Sequence, residues 1–258
     1  MSHNDNFVFG VYPALEKLRA CAKDIVEILI DEGVDRGAIR QIEREAKRHG
    51  LGVTRVPSRL LDQLANGQRH QGIVVRMGAY RYLPFDGLLQ QLSAPPAPSS
   101  ILLLDGLTDP RNFGALLRTS EAVGINYVII PKDRAVDVTP VVIKASAGAA
   151  HYLKISKVTN LRRAIGALKE RGFWAVGLDS RSQETIYDKD FPDRLAIILG
   201  SEGTGVRPVN LRECDFVVSI PMAGRIASLN VAAAGAVFLY ELARRKWLSK
   251  RNGVFTRG

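Results

Sequence analysis

The chain of 258 residues is poor in cysteine: Cys21 and Cys214 are the only two, far apart and in no C-x-x-C arrangement. This argues against a disulfide framework or a cysteine-ligated zinc site and fits a reducing compartment. Histidine is scarce too, and His3, His49, His70 and His151 show no metal-ligand spacing. No Ser/His/Asp set stands out. Long apolar runs are missing: the longest, Val231 to Leu239, is too short to span a bilayer, and Glu241 follows it. The polar start, Met1-Ser-His-Asn-Asp-Asn6, has no hydrophobic signal core. The expectation is a soluble cytoplasmic protein with no metal and no membrane attachment.

What is present is enough apolar residue, 46%, to build one large core or two modest ones. Acid is in deficit. Lys and Arg number 36 against 26 Asp and Glu, a net charge of +10 that favours a polyanionic partner. The excess is uneven, with 12 basic and 10 acidic groups in residues 1–80 but 23 and 15 in residues 99–258. From Arg244 onward Arg245, Lys246, Lys250, Arg251 and Arg257 follow with no acid. That stretch reads either as a solubilising tail or as a phosphate contact.

Three parts are expected. Residues 1–80 alternate helix and strand as a small α/β domain: Leu15, Leu18 and Cys21 at helical spacing, an apolar strand at Ile25 to Ile30, a charged helix from Arg36 to His49, a strand at Val53 to Val56, a helix from Pro57-Ser58, and a strand at Gly72 to Val75. Residues 81–98 read as a Pro/Ser-rich linker, because Ala94-Pro-Pro-Ala-Pro-Ser-Ser100 suits neither a helix interior nor a central strand. Residues 99–258 alternate again, with apolar strands at Ile101 to Leu104, Tyr127 to Ile130, Tyr152 to Ile155, Trp174 to Leu178, Leu195 to Leu199 and Phe216 to Ile220. Helices between them, and a long one from Asn230 to about Leu248, imply a mostly parallel sheet with its site at the strand ends.

Three segments of the second half carry chemistry. In Asp105-Gly-Leu-Thr-Asp-Pro-Arg-Asn-Phe-Gly-Ala-Leu-Leu-Arg118 a buried strand turns into a helix that Asp109 or Asn112 caps and Pro110 opens. Arg118 stands among Leu116, Leu117 and Val123, three residues from Glu121, so an intrahelical ion pair is its structural alternative to a catalytic role. Leu199-Gly-Ser-Glu-Gly-Thr-Gly205 follows an apolar strand, but glycines at 200, 203 and 205 do not make G-x-G-x-x-G, and no Walker lysine follows. Such a turn lets backbone approach a flat ligand that has no phosphate to cradle. Glu202 either orients the site or is a solvated loop carboxylate. In Ile220-Pro-Met-Ala-Gly-Arg-Ile-Ala-Ser-Leu-Asn-Val231, Ser228 is a natural N-cap, and Ala232-Ala-Ala-Gly235 is a small-residue stripe suited to crowded backbone.

These segments together resemble the motifs of the SpoU-type (TrmH-like) RNA ribose 2'-O-methyltransferases. Phe9-Gly-Val-Tyr-Pro-Ala-Leu15 and His70-Gln-Gly-Ile-Val-Val75 are similar to the ends of the substrate-binding domain found in front of some members. The resemblance spans nearly the whole chain and implies several things. The C-terminal domain would be a methyltransferase with a trefoil knot, and the protein a homodimer with sites beside the subunit interface. S-adenosylmethionine would be the cofactor, contacted by Leu199, Gly200, Gly203, Ile220, Met222 and Leu229. Asn112, Arg118, Glu202, Ser228 and Asn230 would be catalytic, with no metal. Arginine is effectively always protonated, so Arg118 would act electrostatically, steadying a developing alkoxide and an adjacent phosphate. The N-terminal domain points to a guanosine of large-subunit ribosomal RNA as substrate. Transfer RNA, or an inactive RNA-binding scaffold, are the alternatives, and the glycine spacing disfavours a dinucleotide-dependent dehydrogenase.

Overall fold

A computed structural model describes residues 7–35, 37–93, 100–226 and 228–254. It divides into two compact units, Met1–Arg81 and Tyr82–Gly258.

The first unit runs β1 (Phe7–Phe9), α1 (Val11–Cys21), β2 (Ile25–Asp31), α2 (Gly37–Arg48), β3 (Val53–Val56), α3 (Ser58–Ala65) and β4 (Ile73–Met77). Its sheet has the order β1-β4-β2-β3, with only the β2–β3 pair parallel. Successive strand side chains point to opposite faces. Ile28 and Ile30 of β2 therefore pack with Leu18 of α1 and Ile39 and Ile42 of α2, while Leu29 packs on the other side with Leu61 of α3. Arg36, the expected start of α2, lies outside the described residues.

The second unit continues with α4 (Phe85–Ser93), β5 (Ser100–Asp105), α5 (Pro110–Ala122), β6 (Tyr127–Pro131), α6 (Pro140–Ala145), β7 (Lys154–Val158), α7 (Leu161–Lys169), β8 (Trp174–Leu178), β9 (Leu195–Gly200), α8 (Pro208–Leu211), β10 (Phe216–Val218) and α9 (Val231–Val254). Its six strands, in the order β10-β8-β9-β5-β6-β7, are all parallel. β5, β6 and β9 are buried along their whole length, which explains their uninterrupted apolar sequences. Leu88, Leu89 and Leu92 of α4 and Ile165 and Leu168 of α7 cover Ile101, Leu103 and Ile198 on one face. On the other face α5 meets α6 and α9 at glycines. A Cβ at Gly114 would overlap Ala145, and one at Gly235 would overlap Leu116 and crowd Leu199.

Three expectations need correction. Residues 81–98 are not a linker throughout, since Phe85–Ser93 is a helix whose leucines enter the second unit's core; residues 94–99, the Pro-rich part, lie outside the described residues. Strand β7 begins at Lys154 rather than Tyr152, which is exposed, and β10 stops at Val218, two residues short of Ile220. The basic stretch after Leu242 is partly engaged within the fold. Glu241 accepts from Arg244 and Arg245, and Lys246 donates to the Ser100 hydroxyl. Arg244 remains over half exposed. The side chains of Lys250, Arg251 and Arg257 lie outside the described set.

Both cysteines are free thiols, and burial pushes the Cys214 thiol up to about 12, so it stays protonated at neutral pH. No described helix is long and apolar enough to cross a membrane.

Candidate active site

In the sheet the chain steps from β5 outward to β6 and β7, then crosses to the other side of β5 to form β8, steps in to β9 beside β5, and ends at β10 on the edge. Ligands of parallel sheets bind beyond the carboxyl ends of the strands where the order reverses. Here that point lies between Asp105 and Gly200, which are partners in adjacent strands. The loops leaving β5, β8, β9 and β10 converge there.

The loop after β5 enters α5 through a local cap: the Asp109 carboxylate accepts from the Arg111 and Asn112 amides at 2.9 and 2.7 Å, and Pro110 opens the first turn. This fixes Asn112 at the helix start. Its Nδ2 donates to Glu202 Oε1 at 2.6 Å. The side-chain amide of Asn230 donates to that same Glu202 oxygen and, at 3.1 Å, to Asn112 Oδ1. Three residues from three loops thus form one amide–carboxylate–amide cluster.

Asn230 has a second task. Its Oδ1 accepts from the Ala232 and Ala233 amides at 2.9 and 3.3 Å, so Asn230 is the N-cap of α9. The expectation that Ser228 caps this helix is corrected: α9 begins at Val231, which places Ser228 too far upstream, and leaves its hydroxyl exposed at the site.

The turn after β9 is closed on itself. Ser201 and Gly205 exchange backbone hydrogen bonds of 3.2 and 3.0 Å, and the Ser201 and Thr204 hydroxyls meet at 2.6 Å. A Cβ at Gly200 would overlap the backbone of Gly205 and Val206, so glycine is demanded there by the loop itself. Gly203 and Gly205 have φ of 85° and 67°, the left-handed region that a side chain disfavours. Beneath the turn Asp105, whose side chain is fully buried, accepts from the Arg207 backbone N–H (2.8 Å), Arg207 Nε (2.6 Å) and Asn210 Nδ2 (2.8 Å). That anchor brings the chain leaving the turn back under β5.

Beside the cluster a cavity of about 290 Å³ opens, walled by Leu199, Gly200, Gly203, Ile220, Met222 and Leu229, with Glu202 and Ser228 also lining it. Asn112 and Asn230 touch Glu202 without lining the cavity. Arg118 is placed apart. It lies six residues beyond Asn112 on α5, about 9 Å along the axis, exposed and outside the cavity lining. Among the described residues it has no hydrogen-bond or ion-pair partner, so the pair with Glu121 is not formed.

Sequence reasoning missed the loop after β8. Asp179, Ser180 and Arg181 line the cavity, and Asp179 holds Arg181 through contacts of 2.9 and 2.7 Å, with its own pKa lowered by the Arg181 guanidinium. The available signal was positional, the end of a parallel strand. Asp105 and its partner Arg207 were also missed, although an acid closing a wholly apolar strand was a cue.

The site thus combines apolar walls, a bare glycine turn, a carboxylate held by two amides and a serine hydroxyl. Comparisons with known proteins identify the family of the chain. The chain is a member of the SpoU rRNA Methylase family, an RNA methyltransferase family, whose model matches residues 99–240. A second model, RNA 2'-O ribose methyltransferase substrate binding, matches residues 7–83. A putative TrmH family tRNA/rRNA methyltransferase of Bacillus subtilis is 37% identical, covering 95% of this chain and 98% of its own. The 23S rRNA (guanosine-2'-O-)-methyltransferase RlmB of Xylella fastidiosa is 34% identical over 96% and 100%. Among solved structures, a putative RNA methyltransferase of the TrmH family from Porphyromonas gingivalis superposes with a TM-score of 0.70 at 25% identity, covering 94% of this chain and 90% of that one. The AdoMet-bound rRNA methyltransferase of Sinorhizobium meliloti shares the fold, with a TM-score of 0.71 at 22% identity over 94% and 88%.

Proposed function

We propose that this chain is an S-adenosylmethionine-dependent RNA ribose 2'-O-methyltransferase acting on a guanosine of large-subunit (23S) ribosomal RNA. The observation that carries the reading is the cavity directly beside the Asn112–Glu202–Asn230 cluster. Its walls fit an adenosine, since Leu199, Ile220, Met222 and Leu229 are apolar and the Gly200–Gly205 turn offers backbone without a phosphate-cradling lysine. Glu202 supplies negative charge suited to a sulfonium. When bound, the cofactor supplies a methyl group already activated by its positively charged sulfur.

The protein's task is then alignment and deprotonation of the 2'-hydroxyl. Glu202, steadied by two amides, has a second oxygen available to a hydroxyl. Ser228, exposed at the cavity, is placed to orient the ribose. Arg118, with no internal partner, supplies a guanidinium for the neighbouring phosphate and the developing alkoxide. The reading needs no metal ion. The guanosine target rests on the Xylella relative; the printed name of the Bacillus relative keeps transfer RNA as the second substrate to test.

We extend the proposal to two features of architecture. The C-terminal part of the second unit forms a trefoil knot, a reading supported by the crowded packing of α9 at Gly235 against Leu116 and Leu199. The protein works as a homodimer, supported by the exposed Val237, Tyr240 and Trp247 along α9 and by Arg118, which has no partner among the described residues.

The test is transfer of tritiated methyl from S-adenosylmethionine to unmodified ribosomal or transfer RNA, wild type beside Arg118→Ala. Alkali-resistant label in ribosomal RNA, reduced about 100-fold or more in the variant, is the expected result. Label in transfer RNA alone would move the substrate, and cofactor binding without transfer to either RNA would overturn the proposed reaction.

A further inference from the structure

We infer that the first unit holds an unpaired nucleobase of the RNA in a groove between α1, α2 and the loop at residues 66–72, stacked on the ring of Tyr12. The inference rests on the RNA methyltransferase reading above and adds a site and a ligand class to it. Tyr12 is 81% exposed at the start of α1, an unusual position for an aromatic ring that no neighbour covers. It shares a helix face with Leu15 and Arg19, at i+3 and i+7. The groove it borders has a volume of about 640 Å³, with an apolar floor that includes Leu15 and Ile39.

The groove's rim carries three glutamines, Gln41, Gln68 and Gln71. Gln71 Oε1 accepts from the Val11 amide at 3.1 Å, which leaves its NH₂ group to donate. The side-chain carboxamides of Gln41 and Gln68 have no hydrogen-bond partner among the described residues. Carboxamides offer a donor and an acceptor side by side, the pattern that reads a base edge.

One residue of the loop is held in a costly conformation: Gln71 has φ of 55°, whereas Asn66, at 44°, is the left-handed cap of α3, and Gly67 and Gly72 adopt that region freely. His70 Nε2 contacts Asp62 Oδ1 at 3.0 Å, while its Nδ1 accepts from the Gly72 amide at 3.1 Å. Strain that the surroundings maintain in this way is found where a ligand is gripped.

Charge selects the occupant. Arg69, in the groove lining, is balanced there by Asp62, so the groove suits a neutral planar group with polar edges better than a phosphate. Unpaired bases of RNA are such groups, and they stack on exposed aromatic rings, whereas duplex RNA is read through its backbone and 2'-hydroxyls. Every residue of the groove lies within the segment matched by the substrate-binding family model.

The test uses full-length protein and fluorescence anisotropy with three labelled probes: an unstructured RNA oligonucleotide, its abasic counterpart and a duplex of the same sequence. Wild type is expected to prefer the base-containing single strand. Tyr12→Ala weakens that binding by about fivefold to 100-fold, the range for one lost base stack, and erases the preference over abasic RNA. Tyr12→Phe retains both. The exposure of Tyr12 means the variant folds, checked by its thermal melt. Equal binding of the base-containing strand by wild type and Tyr12→Ala, or a preference for duplex that the substitution leaves intact, overturns the site. Methyl transfer assayed on the same wild-type preparation tests the catalytic reading separately: Tyr12-dependent binding without transfer would sink that reading and leave the groove standing.

Discussion

Asp105 and Glu202 are two carboxylates on the same glycine turn, one beneath it and one on it, and they are treated in opposite ways. Asp105 is sealed from water and matched to a cation, with Arg207 and Asn210 taking up both its oxygens. Glu202 is exposed, has no cationic partner among the described residues, and is held by two neutral amides on one oxygen. A buried acid needs its charge neutralised on the spot. An exposed one held by amides keeps its charge for something that arrives. The first carboxylate therefore serves the fold, and the second is left available for the chemistry proposed above, a difference that residue type and loop position do not reveal.

Substitutions can break or sharpen this contrast. The largest effect is expected from Gly200→Ala, whose Cβ has no space between the turn and its own strand. A loss of about 4 kcal/mol or more should appear in urea unfolding. Gly203→Ala, strained but sterically open, should lose only about 1 kcal/mol. Arg207→Ala should cost about 3 kcal/mol, because it strands Asp105 as a buried charge. Asp105→Asn should cost less, about 1–3 kcal/mol, since the half-exposed Arg207 can turn to water. Glu202→Gln should stay within about 0.5 kcal/mol of wild type yet slow methyl transfer about 100-fold through lost alignment. If Glu202→Gln unfolds as readily as Arg207→Ala, the division between the two acids collapses.

A third carboxylate extends the comparison to acid. Glu241 is pushed down to about 2 from an ordinary 4.5, chiefly by the hydrogen bond from Arg244, with burial opposing and Arg245 assisting. A depressed folded pKa stabilises above the unfolded value and is lost as pH falls. Its contribution should be intact above about pH 4.5 and disappear toward pH 2. Glu241→Gln should flatten the fall of the urea midpoint across that window.

The sequence disclosed the second unit's sheet because strands buried on both faces must be apolar throughout, as in Ile101 to Leu104 and Ala196 to Leu199. It concealed α4 because Pro95 to Ser99 made the whole stretch read as a spacer, although Leu88, Leu89 and Leu92 already had helical spacing. Ser228 and Asn230 are both good caps, and only the register of α9 decides between them. The Asn112–Glu202–Asn230 cluster joins Asn112 to residues 90 and 118 positions further along the chain. Local pattern cannot pair such residues; the motif resemblance put them on one list, and the strand order puts them in contact. The clasp between Asp105 and Arg207, 102 positions apart, left no trace in local pattern either.

Asn230 binds the amides of Ala232 and Ala233 with one end of its side chain and Glu202 with the other. The first turn of α9 therefore acts as a built-in reporter. On the proposed reading, a side chain of Asn230 that turned to meet an incoming ribose would leave those two amides without their acceptor and open to deuterium. Their exchange, read peptide by peptide, would time the opening of the site in protein carrying no label and no substitution.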